Sequence, residues 1–129
     1  MKTSPWAITI ALFISATPVL ADILISNNTN AYGTAFIRNR LKTSPCSSSL
    51  GKGGIANPHQ SLKVPDSLLN MFCKVFACEA HIFATNHCNK KIAIVKINTK
   101  KHITSIRNLD RKHYLVTGSG STIQVNQQN

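Results

Sequence analysis

Residues 78–107, CEAHIFATNHCNKKIAIVKINTKKHITSIR, decide the fold class. Ala80, Ile82 and Ala84 alternate with Glu79, His81, Phe83 and Thr85, the period of two that belongs to a strand with one face in a core. Ile92–Ile97 (IAIVKI) is nearly all apolar, as a central strand covered on both faces would be. Asn98-Thr99-Lys100-Lys101 reads as a turn, and Ile103–Arg107 as its returning hairpin partner.

Working outward, the same period recurs. Upstream, Ile23 and Ile25 alternate with Leu24 and Ser26 before a turn at Asn27–Asn30. Ala35 and Ile37 alternate with Thr34, Phe36 and Arg38, and Leu62 and Val64 alternate with Ser61 and Lys63. Downstream, Tyr114–Thr117 and Thr122–Asn126 flank Gly118-Ser119-Gly120. Residues 43–58 (TSPCSSSLGKGGIANP) form one long Ser/Gly/Pro loop. Asp66–Phe72 is the one helical segment, about two turns behind an Asp or Ser cap. Seven or eight short antiparallel strands predict an all-β domain, a small β-sandwich or a partly open barrel.

Size sets a limit. A chain of 129 residues holds one domain at the usual 100–200 or so residues each. That leaves no room for a two-domain enzyme or a large nucleotide-binding fold. The N-terminus predicts that part of it is removed. Lys2 precedes the apolar run Trp6–Ala16, then Pro18 and Val19-Leu20-Ala21, the three-part pattern of a signal peptide. The run is shorter than the roughly 20 residues that span a bilayer. With residues 1–21 removed, a single β domain of 108 residues, 22–129, remains, with a formal charge of +10 once Lys2 is gone. The expectation is a periplasmic or secreted protein that is not integral to a membrane.

Export makes the cysteines legible. Cys46, Cys73, Cys78 and Cys88 are even in number, and an oxidising compartment favours two disulfides. Zinc would want close pairs, and no C-x2-C is present. If Glu79–Thr85 is extended, Cys78 and Cys88 lie too far apart to bond. That favours Cys73–Cys78 with Cys46–Cys88, whereas a break in the strand would restore Cys46–Cys73 with Cys78–Cys88.

Catalytic motifs are few. There is no G-x-S-x-G elbow, H-E-x-x-H or dinucleotide fingerprint. Gly51-Lys52-Gly53-Gly54 resembles a phosphate loop but lacks the following Ser/Thr and the flanking strand and helix. Glu79 and His81 share one strand face, about 6–7 Å apart. With Arg107 or Lys96 from a neighbour, they would form the base, acid and phosphate clamp of a metal-independent ribonuclease-like hydrolase. A Glu-x-His on an exposed strand face is also common by chance. No metal site and no cofactor are expected.

Charge departs furthest from average, with 15 Lys+Arg against 4 Asp+Glu. Eight cations, Lys90, Lys91, Lys96, Lys100, Lys101, Arg107, Arg111 and Lys112, face Asp110 alone between positions 90 and 112. A sheet would gather them on one face or edge. Such a patch favours an anionic surface (lipopolysaccharide or phospholipid), an acidic protein or nucleic acid. Equally, edge-strand lysines keep sheets from pairing with one another. Tyr114 is the one stacking aromatic within the patch, which lowers the nucleic-acid version.

Ile25-Ser26-Asn27-Asn28-Thr29, Ser44-Pro45-Cys46, Phe72-Cys73, Cys78-Glu79-Ala80 with Cys88, and Gly118-Ser119-Gly120-Ser121 resemble small exported cysteine-containing β-proteins of intracellular gammaproteobacteria. The resemblance covers most of residues 22–126. It implies an exported β-domain and no particular activity. The functional expectation is therefore a non-enzymatic binding protein acting through the 90–112 region. Two alternatives are the hydrolase using Glu79 and His81, and a protease inhibitor or protein-binding module presenting the 43–58 loop.

Overall fold

The computed structural model describes residues 22–128; the expected signal peptide, 1–21, lies outside them. Among the described residues the strands are β1 (Ile23–Asn28), β2 (Thr34–Arg38), β3 (Ser61–Val64), β4 (Cys78–Phe83), β5 (Lys91–Ile97), β6 (Ile103–Asn108), β7 (Tyr114–Ser119) and β8 (Thr122–Gln127), with one α-helix, α1 (Asp66–Cys73), between β3 and β4. They form two four-stranded sheets ordered β3-β1-β8-β7 and β2-β4-β5-β6. No closed barrel forms. The sheets meet at one corner, where Ile103 bridges to Gly120.

Every pairing is antiparallel except one. β1 and β8 run parallel, with Ile25 opposite Ile123, which corrects the all-antiparallel expectation. A parallel pair needs a long crossover, and here the whole intervening chain supplies it.

The core is the space between the sheets. Ile23, Ile25, Leu62, Val64, Val116, Ile123 and Val125 supply one layer; Ala35, Ile37, Ala80, Ile82, Ala93, Val95 and Ile97 supply the other. Both sets follow the period of two along their strands. Leu69, Phe72 and Cys73 of α1 also pack into this core.

Several local expectations need correcting. β1 continues through Asn28, and Asn27 is buried. Its amide donates to the carbonyls of Ala31 and Asn57, and its Oδ1 accepts from Thr29; a buried amide so satisfied stabilises the turn it was expected to begin. The cap of α1 comes from neither Asp66 nor a Ser. Pro65 occupies the N-cap position without a side-chain bond, and the Asp66 amide donates to Asp22 Oδ1 at 2.8 Å. The cap is supplied across 44 residues of chain, beyond the reach of local sequence reading. β5 is central, yet only one of its faces is sealed. Ala93, Val95 and Ile97 are buried, whereas Ile94 is half-buried and Lys96 exposed.

The cysteines pair Cys46–Cys88 and Cys73–Cys78, with Cα separations of 5.9 and 5.0 Å. β4 ends at Phe83, earlier than Thr85, and the following turn brings Cys88 beside β2, where its amide donates to Thr34 Oγ1 at 2.9 Å. The 43–58 segment is also more structured than a free loop. It holds a 3-10 turn at Ser47–Ser49, and the hydroxyls of Ser44 and Ser47 accept from the β2 amides of Ile37 and Ala35 at 2.9 and 3.1 Å.

Candidate functional site

The face of the β2-β4-β5-β6 sheet turned away from the core gathers the chemistry. Directly opposed residues in neighbouring strands share a face, so the registers place its side chains in rows. One row runs Phe36, His81, Ile94, Arg107; the next runs Arg38, Glu79, Lys96, Ser105. At the other end Thr34 and Lys91 flank Phe83. Arg38, Lys91, Lys96 and Arg107 are exposed, and Glu79 is the one carboxylate among these side chains.

Beneath the cations lies an aromatic layer. Phe36 stacks on His81 with ring centroids 4.7 Å apart, and lies 5.4 Å from Phe83. The Lys91 ammonium sits 5.9 Å from the centroids of both Phe36 and Phe83, within the range of cation–π attraction. This packing buries His81 and Phe83, both expected on an exposed face. The aromatics come from β2 and β4, so the stretch 90–112 gave no sign of them.

Glu79 and His81 do meet. His81 Nε2 lies 3.0 Å from Glu79 Oε1. An ionised carboxylate only accepts, so neutral His81 carries its proton on Nε2 and leaves Nδ1 bare. That Nδ1 is buried with no hydrogen-bond partner among the described residues. Burial holds the imidazole below its usual range. The hydrogen bond with Glu79 opposes the shift, and the Lys91 and Arg38 cations reinforce it. With the His81 side chain only 3% exposed, both nitrogens are withdrawn from any molecule docking on the face.

The eight cations of the 90–112 stretch separate. Lys91, Lys96 and Arg107 lie on the face, and Lys90 adjoins it at the start of β5. Arg111 and Lys112 are exposed in the turn after β6, which Leu109 ties to Ile92 at the Lys91 end of β5. Lys100 is exposed at the hairpin tip. Lys101 is occupied elsewhere, its ammonium 3.0 Å from Asp66 Oδ1. Arg38 and Arg40, absent from that stretch, border a cleft of about 390 Å³ together with Glu79, Lys96, Asn39 and Asn98. Only β2–β4 pairing reveals them, and Arg38-Asn39-Arg40 at a strand end was its one trace in sequence.

Among the described residues no helix is long and apolar enough to cross a membrane. No protein-family model matches the chain, and no curated protein matches it. Among solved structures, the chain is similar to the Legionella pneumophila type II secretion system substrate NttC, with a TM-score of 0.51 and 18% identity over 84% of this chain and 98% of that one. The likeness is one of fold.

Proposed function

We propose that the protein is an exported, non-enzymatic binding protein that engages an anionic surface through the outer face of the β2-β4-β5-β6 sheet. The observation that carries this reading is the clustering of Arg38, Lys91, Lys96 and Arg107 on one face against the single carboxylate of Glu79. Cations fixed on a sheet present a pre-arranged positive field to phosphate-bearing headgroups. Arg adds the forked donor geometry that suits phosphate oxygens. Lys90, Lys100, Arg111 and Lys112 widen the field. Export is supported by the N-terminal pattern of residues 1–21, by two disulfides and by the fold shared with a secreted bacterial substrate.

The hydrolase alternative draws less support. Its general acid–base group would be His81, whose ring is covered by Phe36 and engaged by Glu79. A catalytic base must come within hydrogen-bond reach of the proton it moves. The inhibitor alternative needs a projecting loop, and the 43–58 segment is bonded back onto β2.

The test is sedimentation with vesicles of phosphatidylglycerol, against vesicles of phosphatidylcholine, over a salt series. Binding should be confined to the anionic vesicles and fall steeply as the salt shortens electrostatic range below about 8 Å. Arg38→Gln/Lys96→Gln/Arg107→Gln should lose most of it while retaining the wild-type circular dichroism. Equal binding by wild type and triple variant would remove this face from the reading.

A further inference from the structure

A second site lies at the β2 and β3 edges of the sandwich. β2 and β3 are edge strands of different sheets, and between them is a pocket of about 290 Å³. Ala35, Ile37, Leu62, Val64 and Leu68 give it an apolar lining. Its wall is the segment carrying Ser44, Ser47 and Gly51-Lys52-Gly53-Gly54, tethered by the Cys46–Cys88 bond. The wall's serine hydroxyls accept from the edge amides of Ala35 and Ile37 in β2, so those groups are already paired. Gly51 and Gly53 have φ of +107° and +83°, the left-handed region that glycine enters without cost. The turn they make carries Lys52 beside the pocket.

The rim has two features. Leu50 lines the pocket although it is 50% exposed, and such an apolar side chain loses nothing when a ligand covers it. Lys52 and Lys63 also line it, with no Asp or Glu. Lys63 has a distant partner in Asp22 at 3.8 Å, while Lys52 is exposed in the glycine turn.

We propose that this pocket binds a single-chain amphiphile with an anionic head, the class of a medium-chain fatty acid carboxylate. The chain lies against Ile37, Leu62, Val64 and Leu68, and the carboxylate meets Lys52. The volume is at the lower end of the roughly 300–1,000 Å³ of small-molecule sites, which admits one chain and excludes a two-chain phospholipid. Tethering by the disulfide and the β2 hydrogen bonds leaves little loop ordering for binding to oppose. The site shares Phe36 with the basic sheet face but none of its cations.

The test is isothermal titration of the purified protein with hexanoate, octanoate and decanoate, and with octanol. Affinity should tighten by about fourfold for each methylene that becomes fully buried and level off once the pocket is full. Octanoate should bind more tightly than octanol. Lys52→Glu should erase that preference and leave octanol binding unchanged. Leu68→Trp should block both ligands, and Leu50→Asp, at an exposed position, should weaken both without risk to the core. The Arg38/Lys96/Arg107 triple variant should bind octanoate like wild type, which separates this site from the basic face. Absence of saturable octanoate and decanoate binding, or affinity independent of chain length, overturns the proposal. Equal affinity for octanoate and octanol, unaltered by Lys52→Glu, overturns the assignment of the head.

Discussion

The Lys101 ammonium lies 3.0 Å from Asp66 Oδ1, with the two side chains only 18% and 16% exposed. This contact ties the β5–β6 hairpin to the first turn of α1. Lys101 takes a φ of 65°, a left-handed conformation disfavoured for a side chain with a Cβ. It was expected at the turn and in the basic patch beside its neighbour Lys100, and the structure gives the two different work.

Lys101→Ala should therefore destabilise the fold while Lys100→Ala should not. The pair is intermediate in burial, so its loss falls between the roughly 1 kcal/mol of an exposed pair and the 3–5 or so of a buried one. Lys100→Ala should stay within about 0.5 kcal/mol of wild type. Urea midpoints of the two variants check this, and equal midpoints would show that the contact adds nothing.

A second contrast lies within β5 and β4. Ile82 is 2% exposed in the core, whereas Ile94 is half-buried on the outer face. Ile82→Ala should cost about 2–5 kcal/mol, the range for a core isoleucine. Ile94→Ala should cost roughly half as much or less, since most of the cavity it leaves opens to solvent. Denaturant unfolding of both variants measures the difference.

Alternation in Ile23–Ser26 and Ala35–Ile37 was enough to read strands, because each has one face in the core and the side-chain period is two; Ile92–Ile97 was read from its apolar run, which hid that one of its faces is open. What the residues could not show is pairing across distance. The parallel β1–β8 ladder joins the two ends of the domain, and the Asp22 cap reaches α1 from 44 residues away. The site was legible in the same partial way. Lys91, Lys96 and Arg107 lie close in sequence, so their common surface could be foreseen. Arg38 and Phe36 reach that surface only through β2–β4 registry, and this same registry buries His81, whose alternation pointed it to solvent.

The two disulfides should contribute unequally. Cys46–Cys88 links residues 42 apart and Cys73–Cys78 residues 5 apart. If a cross-link acts mainly by restricting the unfolded chain, the long loop contributes about 4 kcal/mol and the short one about 2. Cys46→Ala/Cys88→Ala should lower the melting temperature more than Cys73→Ala/Cys78→Ala. The reverse order would mean that the buried Cys73–Cys78 pair matters more for packing α1 than for restricting the chain.

The last expectation concerns pH. Neutral His81 donates from Nε2 to Glu79, stacks on Phe36 and keeps a bare, buried Nδ1. Protonation would place a new N–H at Nδ1 where no acceptor stands among the described residues, and add a charge beside Lys91 and Arg38. Burial is the main cause of the lowered pKa. The unfolded chain, whose histidine titrates near its ordinary value of about 6.5, therefore binds the proton more readily than the folded one. Between that value and the lower folded one the unfolded state holds more protons, so stability rises with pH there. The contribution of His81 is complete above about pH 6.5, declines as the pH falls through this window, and levels off below the folded pKa. His81→Phe keeps a ring against Phe36 and removes the titration. The four other histidines are common to both proteins, so the difference between their urea midpoints from pH 7.5 to 5 isolates His81. Wild type should lose stability relative to His81→Phe as the pH drops, and parallel curves would place the proton's cost elsewhere.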